Sequence, residues 1–377
     1  MKYLNFPHLR GPELFIFLIS GFMYQTFAMS FHPQVFFIPD LIILIFTFWA
    51  LLNFKQDISI NFLLAFSLII YFFCFSPPRL DIEFNNNYIV PLKPFFYLMI
   101  LSLTSKVNCS LNIKGFSRVV IYLYPIYLTY LISYKYIVFG YFETRPNFMF
   151  ENNFEVPFLL SCFICLAFIY KEKVFNYFLL ISLSVFLTGS RSGLIAYLII
   201  AVAYIFTLSR KAFFAGAFII GGVLAYILLI RGMPALNVSS IDRVQSFNGL
   251  FSFYNFSILE ILSFPVGFGI YQKVPSSVCS SLEPFAEWVT GNFYNCDPIM
   301  LQSFFTRGIY QYGIYILLFI PLAFYWEVKK RVGWYLAAII LVPIFCASLS
   351  VGGFSNGLAF GGVILTMLAF QQKYRGI

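Results

Sequence analysis

The sequence predicts an all-α, polytopic integral membrane protein of about twelve transmembrane helices, with one large loop on the non-cytoplasmic side. Three observations predict it: a composition no water-soluble domain has, a series of apolar runs of membrane-crossing length, and lysine and arginine distributed unequally between alternate connections. Of the 377 residues 60% are hydrophobic and 10% charged, with mean hydropathy +0.84, whereas soluble domains carry roughly a quarter charged residues. The period-2 alternation of an outer-membrane barrel is absent, so helices must satisfy the backbone within the bilayer.

Helical crossing of about 30 Å of hydrocarbon needs about 17–25 predominantly apolar residues. Such runs fall at 13–30, 35–53, 58–76, 88–104, 117–138, 155–170, 174–188, 191–208, 212–230, 303–326, 333–349 and 354–370. The fourth, sixth and seventh are the weakest candidates. The first run is long for a cleavable leader and lacks a small-residue cleavage site, so it is expected to remain as a span. With the N-terminus inside, the inner connections collect Lys2, Arg10, Lys55, Lys106, Lys114, Arg118, Lys171, Lys173, Arg210, Lys211, Lys329, Lys330, Arg331, Lys373 and Arg375, the majority of the 24 basic residues. This is the inside excess that sets orientation, and it places both termini in the cytoplasm. It accounts for much of the net charge of +9 without nucleic acid. The outward set is mostly arginine: Arg79, Arg145, Arg191, Arg231, Arg243 and Arg307, with Lys93, Lys135 and Lys273.

The chain reads as one transmembrane domain, 1–377, without internal repeats, and the outer loop 231–302 lies within it. Inside that loop, LFSFYNFSILEILSF at 250–264 places Ser252, Asn255, Glu260 and Ser263 on one helical face and apolar residues on the other. Such a helix lies in the headgroup layer rather than crossing it. Pro265, Gly267 and Gly269 then end it with a tight turn. Cys279 and Cys296 follow in the same loop, where an oxidising compartment permits a disulfide. Cys162 and Cys165 make a CxxC inside an apolar span without companion ligands, so packing is the expected role.

Two shorter outer segments concentrate polar chemistry. RPNFMFENNFE at 145–155 holds Arg145, Glu151, Asn152 and Glu155; TGSRSGL at 188–194 is a tight polar turn holding Ser190 and Arg191. Each arginine has an ordinary explanation. Arg191 snorkels or caps a helix, Arg145 pairs with Glu151 or Glu155 at the surface, Arg243 pairs with Asp242, Arg307 opens a span, and Asp297 is a turn residue before Pro298. Four arginines in four separate outer segments need four such explanations at once. Charge near hydrocarbon costs about 2.5–3.5 kcal/mol on insertion scales and tends to face a cavity. Arginine suits a phosphate-binding cavity because its planar fork is bidentate and stays protonated. Aromatic residues, 21% of the chain, are ordinary for interfacial belts and core packing.

TGSRSGL, the large loop with Arg243 ahead of the P-x-G-x-G element from Pro265, and the Tyr312, Gly313, Ile314 step inside a helix opened by a polar residue together resemble the O-antigen polymerase and ligase superfamily. The resemblance covers roughly residues 140–370. It implies a GT-C-like membrane glycosyltransferase of a bacterial inner membrane, working without metal or other cofactor at the periplasmic face. Donor and acceptor are glycans on undecaprenyl pyrophosphate, with a chain-length regulator and a flippase as partners. Ligases of the superfamily resemble one another in a histidine closing the large loop. Here His8 and His32 are the only histidines, and the comparable position reads Asn295, Cys296, Asp297, Pro298, which favours the polymerase.

What the resemblance then implies is an inverting displacement in which a sugar hydroxyl attacks the anomeric carbon and expels undecaprenyl pyrophosphate. Arg191 and Arg243 are the candidates to stabilise the leaving pyrophosphate, and Glu151 or Asp297 the candidate base. Arg145, Arg307, Asn152, Asp242 and Ser190 are candidate substrate contacts. Two alternatives remain: a ligase using the same donor, or a flippase or other transporter, whose key charges belong at the bilayer midplane.

Overall fold

The computed structural model describes residues 59–75, 90–104, 113–139, 155–188, 191–206, 248–250, 267–281, 296, 298–301, 303–349 and 352–375. Every regular element among them is helical. In chain order they are α1 (Ile60–Phe75), α2 (Lys93–Thr104), α3 (Ile113–Arg118), a π-helical stretch (Val119–Leu123), α4 (Tyr124–Phe139), α5 (Glu155–Tyr170), α6 (Phe175–Thr188), α7 (Arg191–Phe206), α8 (Ser276–Ser281), a 3-10 turn (Pro298–Leu301), α9 (Phe304–Tyr312), α10 (Ile314–Ser348), a second 3-10 turn (Gly353–Ser355) and α11 (Gly357–Arg375). By length and composition Ile113–Tyr134 and Ile314–Ser348 are able to cross a membrane, and five shorter apolar helices accompany them. The predicted runs at 13–30, 35–53 and 212–230 lie outside the described residues, as does the interfacial helix beyond Leu250.

The few polar side chains in these helices bond back to their own turn. Ser102 donates to the Leu98 carbonyl at 3.0 Å, Thr104 to Ile100 at 2.8 Å, and Ser182 to Phe178 at 2.7 Å. That keeps hydroxyls satisfied in apolar surroundings. The π-helical stretch ends two residues before Pro125, whose missing N–H removes one rung of the ladder.

Contacts between helices fix their directions. Thr129 of α4 meets Ser184 of α6 at 3.1 Å while Tyr122 stacks edge-on with Tyr177, so those two run parallel. Cys162 of α5 meets the Gly362 carbonyl of α11 while Tyr374 reaches the Ile169 carbonyl, so these run parallel as well. Cys162 and Cys165 sit at 3.7 and 3.8 Å from the carbonyls of Gly362 and Leu336, both buried in helix-helix packing.

The longest helix is two antiparallel arms. A straight helix would put Ser348 about 65 Å from Ser303, yet the Ser303 hydroxyl donates to the Ser348 carbonyl at 3.2 Å. Phe305 and Phe345 stack edge-on at 5.2 Å. The reversal is at Gly333, which takes φ 82°, ψ 165° inside Ile314–Ser348, a conformation effectively open only to glycine. The predicted boundary between runs 303–326 and 333–349 falls there. The run 303–326 is not one helix, however. Gly313 adopts φ 78°, ψ 166° and splits it into α9 and the first arm of α10. The Tyr312, Gly313, Ile314 step therefore breaks a helix rather than lying within one, because apolar periodicity carries no signal for a positive φ.

The result is a bundle with two distinct ends. At the lower end the Lys114 N–H donates to Gln372, Phe168 packs on Tyr335, and Tyr335 donates to the Ala203 carbonyl. Lys114, Lys171, Lys173, Lys329, Lys330 and Lys373 are exposed, and these contacts bring the segments carrying them together. At the upper end Tyr312 donates to the Pro91 carbonyl at 2.5 Å, and Phe72 and Phe95 pack on the Tyr312 ring. The upper end also receives the returning segment 267–281.

Candidate functional site

The upper end is organised by α9. Ser303 caps it in extended conformation, its hydroxyl accepting from the Thr306 N–H at 3.5 Å. Ser303, Arg307 and Gln311 then follow at four-residue spacing and share one face. A helix with such a face would ordinarily turn it to water. Here Ser303, Arg307 and Gln311 are 3%, 5% and 2% exposed, so the polar face points into protein.

The segment after the predicted turn docks on this helix. Gly267 and Gly269 have φ of 62° and 103°. A Cβ at Gly267 would stand 2.6 Å from the Gly313 nitrogen and 2.7 Å from the Tyr310 carbonyl oxygen, so only glycine permits this approach. The Phe268 N–H donates to the Tyr310 carbonyl at 2.8 Å, and the Gln311 amide to the Ile270 carbonyl at 2.7 Å. Tyr310 donates its hydroxyl to the Lys273 carbonyl at 2.7 Å. A second, smaller core follows from Leu250, Val274, Val278, Cys279, Leu301 and Tyr310. Cys279 and Cys296 are joined by a disulfide within it, their Cα atoms 5.6 Å apart, and the Val274 N–H donates to the Cys296 carbonyl.

Arg307 is thus a buried guanidinium at the junction of three elements: α9, the second arm of α10 and the glycine turn before α11. Its Nη2 lies 3.4 Å from where a Gly352 side chain would begin. Gly353 has no room for a side chain either, since a Cβ there would stand 2.5 Å from the Ser348 hydroxyl and closer still to the Ile344 carbonyl. Burying an arginine near hydrocarbon is costly unless anionic groups meet it. Such a site is chemically suited to an oxyanion. Among the described residues no three His, Cys, Asp or Glu side chains gather as a metal site would require.

Of the residues proposed from sequence, Arg307 is described with its side chain. Arg191 is the first residue of α7, and nothing is described of its side chain. Arg145, Glu151, Asn152, Ser190, Asp242, Arg243 and Asp297 lie outside the described residues. Sequence reading passed over Gln311, although its place four residues after Arg307 puts it on the same face. It also passed over Ser355, which follows the double glycine. Glu327 was missed too: it is 2% exposed, accepts a hydrogen bond from the Asn61 amide and stands 3.6 Å from the Lys330 ammonium. Its position beside a basic cluster disguised a buried carboxylate as a solvated one.

Among the described residues the fold is an all-helical bundle, two of whose helices are long and apolar enough to cross a membrane, with a disulfide-tied segment docked on the helix that carries a buried arginine. Residues 177–316 match a family profile described as O-antigen ligase. The match runs from near the start of α6 to the first turn of α10, so this stretch is similar to that family. Neither a curated protein nor a solved structure matches the chain.

Proposed function

We propose that this protein is a polysaccharide polymerase: a twelve-span, inner-membrane glycosyltransferase that joins repeat units carried on undecaprenyl pyrophosphate at the periplasmic face. The observation that carries this reading is the buried Arg307 at the end of the bundle away from Lys114, Lys171, Lys173, Lys329, Lys330 and Lys373. Basic residues mark the cytoplasmic side, so the end with few of them faces outward, where a lipid-linked donor would be presented. Attack by an acceptor hydroxyl on the anomeric carbon forms the new glycosidic bond, and the electron pair of the breaking bond leaves with the pyrophosphate. Arginine at that point stabilises the charge where it develops. Arg191 and Arg243 are assigned to the same leaving group, with Arg145 in support, and Glu151 or Asp297 receives the acceptor proton. Asn152, Ser190 and Asp242 are assigned to sugar contacts. A metal ion is unnecessary for so good a leaving group.

The family description favours a second reading, a ligase that moves the same donor glycan to a different acceptor. The lack of any histidine beyond His8 and His32 supports the polymerase. The two separate in one incubation: purified protein is given lipid-linked repeat units alone, then with an outer-membrane lipid acceptor. A ladder of lengthening products without added acceptor is the expected result. Product only when the second acceptor is present assigns the ligase, and no product in either case refutes both.

A further inference from the structure

Two neighbouring parts of the bundle are shorter than a bilayer is thick. Crossing about 30 Å of hydrocarbon takes about 20 helical residues. α6 has 14, Phe175–Thr188. Below it the chain leaves α5 through Lys171 at φ 56° and passes Glu172, Lys173 and Val174 without helix; above it α7 begins at Arg191. α6 therefore rises about 21 Å. The second arm of α10 is bounded in the same way, by Gly333 below and the helix end at Ser348 above, and residues 334–348 rise about 22 Å. The first arm, 314–332, and α11 rise about 28 Å each, so the shortfall is not a property of every helix.

α7 joins the two short elements. Phe178 of α6 packs on Tyr197 and Tyr204 of α7, and Tyr335 of the second arm donates to the Ala203 carbonyl. That contact gives the height of the sector along two helices: Arg191 lies about 18 Å up α7 from it, and Ser348 about 20 Å up the arm. Polar residues mark both rims. Lys171 and Lys173 lie below α6, and the exposed Trp326 and Trp334 flank Gly333 below the arm. Above stand Ser190 and Arg191 in sequence, and Ser303 bonded to Ser348. A short helix enclosed by others would be of no consequence, but this sector meets lipid. α6 exposes Phe175, Leu179 and Leu183 at four-residue spacing, α7 exposes Ile195 and Ile199, and the arm exposes Phe345. Tilt shortens the reach of a helix further, and snorkelling of Lys171 and Lys173 acts at one rim only, so the membrane itself has to yield.

We propose that the sector formed by α6, α7 and the second arm of α10 holds a thinned annulus of phospholipid, with hydrocarbon about 20–25 Å thick, so that the upper headgroups sink to the rim where α7 begins and the arm ends. The inference rests on the bundle crossing a bilayer and not on the reaction it performs.

Full-length protein is placed, one copy per nanodisc, in phosphatidylcholines with myristoleoyl, oleoyl or erucoyl chains, each in plain and brominated form. Quenching of tryptophan fluorescence, to which the exposed Trp326 and Trp334 respond, reads relative lipid binding. Myristoleoyl lipid is expected to bind about threefold or more tighter than erucoyl lipid, and the melting temperature to be highest in myristoleoyl discs. Lys173→Leu together with Asn176→Leu, both exposed positions at the lower end of α6, lengthens the lipid-facing stripe and should move the preference to oleoyl chains. Equal binding of the three lipids, or a wild-type preference for oleoyl or erucoyl chains, overturns the thinned annulus. A double variant with the wild-type preference removes α6 from it and overturns the sector as drawn. Protein that enters none of the discs would instead refute the crossing of a bilayer on which the inference rests.

Discussion

The two ends of the bundle handle positive charge in opposite ways. At the lower end the exposed cations are mostly lysines in water, joined by the half-buried Arg118 and Arg331. Lys329 and Lys330 lie over the exposed Trp326 ring at 5.6 and 5.5 Å, an arrangement suited to an interface, where long side chains and tryptophan bridge water and hydrocarbon. At the upper end the arginine of α9 is enclosed beside Gly352, and a segment tied through Cys279 and Cys296 docks further along the same helix, on Tyr310 and Gln311. Solvated lysines orient a membrane protein at little cost. A guanidinium enclosed by protein keeps its charge out of water, where its attraction for an anionic group is stronger.

The comparison breaks most sharply on sidedness, where the expected effect is all or none. Lys273→Cys at the upper end and Lys330→Cys at the lower end are exposed positions. A membrane-impermeant thiol reagent applied to intact inner-membrane spheroplasts should label the first above the parental background and not the second. Labelling of Lys330→Cys alone would invert the molecule.

The next largest effect lies in the glycines. Gly267→Ala forces a Cβ into the backbone of α9 at a positive φ, at a cost of about 3 kcal/mol or more once the packing is displaced. The segment 267–274 should then detach, with loss of polymer and faster proteolysis of the outer loop in membranes. Breaking the disulfide comes after this. The cysteines are 17 residues apart, for which chain closure contributes about 3 kcal/mol at most. Cys279→Ser, or reductant on the wild type, should lower the melting temperature in detergent while the bundle itself remains helical by circular dichroism. The smallest effect belongs to Gly333→Ala at the lower end. Its φ is as positive as that of Gly313, but no atom stands within 4 Å of an added Cβ. Only the backbone term applies, about 1–3 kcal/mol, and polymer formation should persist.

Much of this architecture was legible in residue order. Runs at 58–76, 155–170 and 174–188 reappear as α1, α5 and α6 within a few residues, because apolar length is what both the sequence and the bilayer measure. The two glycines of the expected turn, Gly267 and Gly269, were legible in the sequence, and both adopt the positive φ that favours glycine. The break at Gly313 was not, since a glycine within an apolar run reads equally as a packed helical residue. The site was legible residue by residue but not as a constellation. Arg307 stood out as an outward arginine, yet its neighbours Gly352 and Ser355 are more than 40 positions away. Nothing in local pattern connects them until the chain reverses at Gly333 and brings the turn back. Glu327 illustrates the converse, a buried carboxylate hidden in a basic stretch because its partner, Asn61, comes from the far end of the sequence.

The most direct measurement compares the two ends in one assay. Purified wild type, Arg307→Ala and a Lys329→Ala, Lys330→Ala, Lys373→Ala triple variant are incubated with lipid-linked repeat units, and the rate of ladder formation is read from labelled product. Removing a preorganised donor to developing charge predicts a loss of about 100-fold or more for Arg307→Ala. The triple variant should stay within about twofold of wild type once its orientation is verified. A ladder undiminished in Arg307→Ala, or one abolished only by the lysine changes, would contradict the assignment of chemistry to the upper end.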